Sequence, residues 1–282
     1  MAGKWKPFPY DASKFAYEGA ALKAAWPELH RGDCEPFPDV AFVKAAFAEH
    51  PKLKGKLDAE KTAAALKSAW AAYHRGDFAA AAEEGTALGP IGANAANKAA
   101  NIYATYLETE SATRRDIYLS SADRAEALQS AAPDFPNAFY FHAQALGRYA
   151  QDTSIAQALA KGIGGKVKAS LDKAIRLAPN HAEAHLALGA YHAEIVGKVG
   201  AVLAALTYGA SKEEALRHYA LARKLLPDSA IARIEEANGL VTLFGKSRLT
   251  EAQKLYKEAA ACAPLDAMQK LDAEHARRET DG

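Results

Sequence analysis

Residues 215–227 read ALRHYALARKLLP, and this stretch decides the fold. A bulky residue, Tyr219, is followed three positions later by a small one, Ala222, and five positions after that by Pro227. The same order recurs in VKASLDKAIRLAP at 167–179, with Leu171, Ala174 and Pro179, and in AQKLYKEAAACAP at 252–264, with Tyr256, Ala259 and Pro264. A spacing of three places both residues on one helical face, the alanine admitting a second helix and the bulky side chain filling the gap beside it. Proline lacks the N–H and clashes with the preceding turn, so it closes each helix.

Working outward, Pro51, Pro90, Pro133, Pro179, Pro227 and Pro264 form a ladder, with only Pro136 besides them beyond residue 51. The rungs stand roughly 40 residues apart, the mark of an array of similar units. A second echo relates Ala25, Trp26 and His30-Arg31-Gly32-Asp33 to Ala69, Trp70 and His74-Arg75-Gly76-Asp77 at one constant offset. Glycine then aspartate after an apolar helix reads as stop and start: a left-handed glycine ends one helix and the aspartate caps the next. The unit is helix, tight turn, helix.

These marks resemble the tetratricopeptide repeat family. Leu188-Gly189 and Tyr191 stand in a first helix, Ala215, Tyr219, Ala222 and Pro227 in a second, and Ala252, Tyr256, Ala259 and Pro264 in the last unit. The resemblance is strongest over 120–265, with inserts in the inter-helix turns at 151–165 and 195–210. The runs 174–179, 185–189, 206–209 and 213–216 are similar to the bacterial branch of the regulator-of-microtubule-dynamics family; microtubule binding is not carried over. The resemblance implies an all-α, right-handed α-solenoid. Six hairpins are expected at 13–51, 59–90, 92–133, 136–179, 180–227 and 228–264, with a C-terminal capping helix at 266–279. The domains read as an N-terminal helical segment with a divergent repeat (1–58), the array (59–265) and the capping helix with its tail (266–282).

The 282 residues are 50% hydrophobic, enough for a packed core. A formal net charge of +1 speaks against nucleic acid, whose binding needs a basic surface. Cys34 and Cys262 are too few for a disulfide framework. The start, MAGKWKPFPYDASKF, has no apolar leader core, and the apolar run 195–210 is too short for a membrane span and contains Lys198. The expected place is the cytoplasm, or the periplasm if a leader has been removed.

Stacked hairpins curve and leave the first helices lining a concave side. On that side Asn94, Asn97 and Asn101 share a helical face, and an amide can donate to and accept from an extended peptide at once. Tyr140, Gln144 and Arg148 follow at four-residue steps, a set suited to a carboxylate or peptide, and Glu183 could continue the groove. The expected function is a non-enzymatic interaction scaffold that binds a protein or peptide segment with modest affinity, about micromolar. The alternative is a small-molecule carrier or transporter accessory with an enclosed pocket near the two inserts.

No cofactor or metal is expected. His181 and His185 share a face, but HAEAH lacks the glutamate directly after the first histidine that a metalloprotease uses. The glycines of KGIGGK at 161–166 lack phosphate-loop spacing and a following Ser or Thr. No nucleophile-and-base arrangement stands out.

Overall fold

The computed structural model describes residues 5–281; the first four residues and Gly282, which the outer domain limits include, lie outside them. Among the described residues every regular element is helical. They are α1 (Gly19–Leu29), α2 (Val40–Glu49), α3 (Pro51–Lys54), α4 (Ala59–Arg75), α5 (Phe78–Ala87), α6 (Ala93–Tyr106), α7 (Ser111–Ala131) and α8 (Pro136–Gln151). Then come α9 (Ile155–Ala160), α10 (Ile163–Leu177), α11 (Ala182–Val199), α12 (Ala201–Leu203), α13 (Lys212–Leu225), α14 (Ala230–Phe244), α15 (Leu249–Ala260) and α16 (Ala267–Asp281). Helix α4 pairs with α5, α6 with α7, α8 with α10, α11 with α13, and α14 with α15, while α16 packs on α15. The two inserts hold α9 and α12.

The bulky–small–proline marks become the seams of the array. Leu171, Ala174, Ala222 and Ala259 are fully buried, and so, at 1% exposure, is Tyr219. The Tyr219 ring lies between two glycines. A Cβ on Gly189 of α11 would come within 2.9 Å of it, and one on Gly239 of α14 would press onto the ring and its hydroxyl. Truncating such an aromatic costs about 3–5 kcal/mol. Local chemistry sets the helix starts: the side chains of Asp39, Asp58, Ser211 and Ser229 each accept a backbone N–H of the first turn they cap.

The first unit departs from the expected hairpin. Helix α2 packs with α3 on α4, whereas Trp26 of α1 sits edge-on to Trp70, ring centroids 5.9 Å apart, in a different cluster. An irregular stretch, 34–39, separates the two helices. The echoed turns also differ from the reading above. Gly76 is left-handed, with φ of 88°, and ends α4. In the other copy the left-handed residue is Cys34, φ 54°, and not Gly32. Gly32 is small for another reason, since a Cβ there would meet Glu183 Oε1 at 2.8 Å. Neither aspartate caps: Asp77 has no side-chain capping bond, and Asp33 turns inward.

The array closes on itself. Tyr17 of the N-terminal segment donates to the Leu265 carbonyl at 2.7 Å, and Tyr73 of α4 lies 3.0 Å from Met268 Sδ of α16. Ala267 and Leu271 are buried in the same cluster as Trp26 and Trp70. Helix α16 therefore covers the N-terminal helices as well as capping α15. Among the described residues no helix is long and apolar enough to cross a membrane.

Candidate functional site

Helices α6, α8 and α11 hold a polar centre and, beside it, an apolar pocket. The centre is built on Lys98 of α6, 1% exposed, whose ammonium donates to Asp33 at 2.5 Å and to Glu183 at 3.1 Å. Burial opposes the charge on Lys98, but Asp33 and Glu183 outweigh it and hold the lysine above its ordinary range. Burial likewise opposes the charge on Asp33, yet His30 and Lys98 keep its carboxyl well below the usual range. A buried pair of this kind persists only when the remaining polar atoms are also bonded.

They are. His30 Nδ1 lies 2.9 Å from Asp33, His74 Nδ1 lies 2.9 Å from Asp266, and the two Nε2 atoms meet at 3.2 Å. These contacts link Asp33 to Asp266 through the two rings, and burial holds His30 below its ordinary range. Glu35 accepts from Asn94 at 2.9 Å and from Asn137 at 2.5 Å. Burial, then the charge of Asp33, pushes its carboxyl up to about 8, so it is protonated at neutral pH.

The residues singled out from sequence fall into two groups. Asn94, Asn97 and Asn101 are buried at 5%, 0% and 1% exposure. Asn97 accepts from Arg124 at 2.8 Å and Asn101 donates to Gln144 at 2.9 Å. Each of the three keeps one amide atom without an intramolecular partner. On this face Asn94 bonds Glu35 and Lys98 bonds Asp33, while Asn97 and Asn101 turn to α7 and α8. The Asn137 amide donates to the Asp33 carbonyl at 2.9 Å, and the Glu183 N–H to the Gly32 carbonyl at 3.0 Å. The chain's own turn after α1 thus packs beside Asn94, Asn137 and Glu183.

Tyr140, Gln144, Arg148 and Glu183 instead line the pocket between α8, α10 and α11, a half-open cavity of about 190 Å³. One end is polar. Gln144 donates to the Tyr140 hydroxyl at 3.1 Å, and Arg148 bonds Glu235 of α14 at 2.9 Å. Burial of Arg148 opposes its charge, but Glu235 holds it above its ordinary range. The walls are apolar, from Ile163, Val167, Leu186, Tyr191 and Ile195, and both inserts border it through Ala158, Val199 and Tyr208.

His181 separates from the other histidines of its motif: it accepts the Ala184 N–H at 3.0 Å and bonds Asn137 at 2.8 Å. His185 and His192 converge instead on His218, which the sequence reading passed over. Gly162, φ 61°, precedes α10, and Gly164 and Gly165 lie inside that helix, so the glycine run is a turn and helix start. Lys98, Asp33, His30, His74 and Asp266 were also missed as a site. The His30/His74 echo carried their only signal, and it was read as a turn.

No family model matches the chain, and no curated protein matches it. Among solved structures the chain is similar to a thermophilic TPR protein of Thermus thermophilus, with 17% identity and a TM-score of 0.54. The match covers 76% of this chain and 98% of that one. At that identity the likeness establishes the fold alone, and the fold is tetratricopeptide-like.

Proposed function

We propose that this tetratricopeptide-like array is a non-enzymatic interaction scaffold, and that the pocket between α8, α10 and α11 receives an apolar side chain of a partner protein's segment. The observation that carries the reading is the convergence of Tyr140, Gln144, Arg148 and Glu183 on one half-open apolar cavity while the polar centre beside it is paired within the chain. A buried apolar anchor in such a pocket is where binding energy concentrates, with the polar groups around it setting orientation. The charged groups at the rim are already paired with one another, as Lys198 is with Glu194 at 2.9 Å. Affinity therefore rests on the anchor.

A small-molecule reading has one observation in its favour, the bordering of the cavity by both inserts. Size weighs against it. Drug-sized ligands occupy roughly 300–1,000 Å³, and about 190 Å³ fits a side chain better. Selection of phage-displayed peptides on the purified chain tests the proposal. Selected peptides should share an apolar residue and should bind Gly147→Leu weakly. Gly147 lines the cavity and a Cβ added there meets nothing within 4 Å, so the variant is designed to fill the pocket. Equal binding by both proteins would sink the proposal. A ligand that co-purifies with the chain in native mass spectrometry would favour the carrier instead.

A further inference from the structure

Away from the pocket mouth, three side chains on either side of the second insert bring potential ligand atoms within 4.8 Å of one another: His192 of α11, and Glu214 and His218 of α13. Glu214 and His218 stand one turn apart on one face, and α11 runs alongside. Both histidines are 3% exposed. We propose that His192, Glu214 and His218 form a binding site for a divalent transition-metal ion of the zinc type.

The hydrogen bonds around His218 define its proton. His185 Nε2 lies 3.0 Å from the Pro179 carbonyl, which can only accept, so His185 carries its proton there and its Nδ1 is a lone pair. His218 Nδ1, 2.9 Å from that lone pair, must donate to it. The Nε2 of His218 is left as an acceptor, the form a metal needs. A ligating histidine whose other ring N–H is fixed by a partner is the usual outer support of a metal site, and His185 supplies it. His192 is held less firmly: its Nδ1 accepts the Ser211 N–H at 3.3 Å, so a metal ion would displace that bond or move the ring proton.

A cationic group already marks the place. The Arg217 Nη2 donates to Glu214 Oε2 at 2.6 Å and lies 3.0 Å from His218 Nε2, bridging two of the three acceptors. The Arg217 side chain is 57% exposed and can swing out into water. Two imidazoles and one carboxylate suit zinc and leave a coordination position for water. An ion there would tie α11 to α13 across the insert that supplies Val199 and Tyr208 to the pocket wall. The other close cluster, Glu49, His50 and Asp134, offers a single half-buried histidine and two exposed carboxylates.

The test uses the full chain, stripped with chelator and titrated with Zn²⁺, and with Co²⁺ as a visible reporter. One equivalent should bind, give Co²⁺ ligand-field bands and raise the thermal midpoint. Glu214→Gln, which alters a half-exposed side chain and leaves the core intact, should abolish the bands, as should His218→Ala. His185→Phe should weaken binding roughly 10–100-fold. Arg217→Gln removes the competing cation and should tighten binding. The proposal is overturned if neither the wild type nor Arg217→Gln takes up the ion, or if Glu214→Gln and His218→Ala bind as the wild type does.

Discussion

The polar centre and the pocket beside it were built from similar residues and came to opposite ends. Around α6, Asn94, Lys98, Asn137 and His30 close on Asp33 and Glu35 of the chain itself, and every charge there has a partner at hydrogen-bond distance. Around α8, α10 and α11, a tyrosine, a glutamine and an arginine stand at the edge of apolar space that nothing in the chain fills. Polar side chains on a concave helix face do not by themselves mark a binding site. What separates a structural face from a receptive one is whether the chain brings its own occupant.

The strongest way to break that contrast is to attack the filled part. Lys98→Met leaves the fully buried Asp33 without its ammonium. Breaking a buried pair on one side costs about 3–5 kcal/mol, so urea unfolding should lose that much stability. A loss below about 1 kcal/mol would show that the centre is not held as drawn.

Next in size is the receptive part. Gly147→Leu should weaken a selected peptide at least tenfold, about 1.4 kcal/mol, with stability unchanged or slightly raised. Unfolding by the same variant would count against the space being open.

Proton uptake sharpens the comparison further. Burial pushes Glu35 from 4.5 up to about 8 and Asp272 from 3.8 up to about 7. The folded chain binds these protons more tightly than the unfolded one. Their stabilisation is full below the unfolded values and is lost as pH rises through the folded ones. Burial lowers His181 and His218 from 6.5 to about 4, so their contribution is present above 6.5 and is lost as pH falls through about 4. Between about pH 6.5 and 8 the carboxyls act alone, and the thermal midpoint should fall. Glu35→Gln, which keeps an acceptor for Asn94 and Asn137, should flatten that fall; an unchanged slope would remove Glu35 as its source.

The smallest effect is expected at Gly165, inside α10, where an added Cβ meets nothing. Gly165→Ala should stabilise by about 0.5–1 kcal/mol, measured by thermal unfolding, and a loss would mean α10 needs the freedom of glycine.

The hairpins were legible because their signals are local. A bulky residue, an alanine and a proline within nine positions fix a helix face and its end, and Tyr219 with Ala222 did become a seam. The four-residue stripe of α8 borders one cavity, but Tyr140 is itself buried in the main core, a place that the spacing gives to Phe139. The polar centre was not legible. Lys98 meets partners 65 and 85 positions away, and no periodicity reports a contact of that kind. Gly32 misled because a close approach to Glu183 and a left-handed turn both select glycine. His218 went unnoticed because its partners, His185 and His192, lie across a long insert.

The most direct measurement is a methyl NMR titration of the chain with a selected peptide. The methyl groups of Ile163, Leu186 and Ile195 should shift, while those of Ala95 and Ala99, beside the asparagines of α6, stay still. Shifts confined to Ala95 and Ala99 would contradict the assignment of the partner to the open pocket.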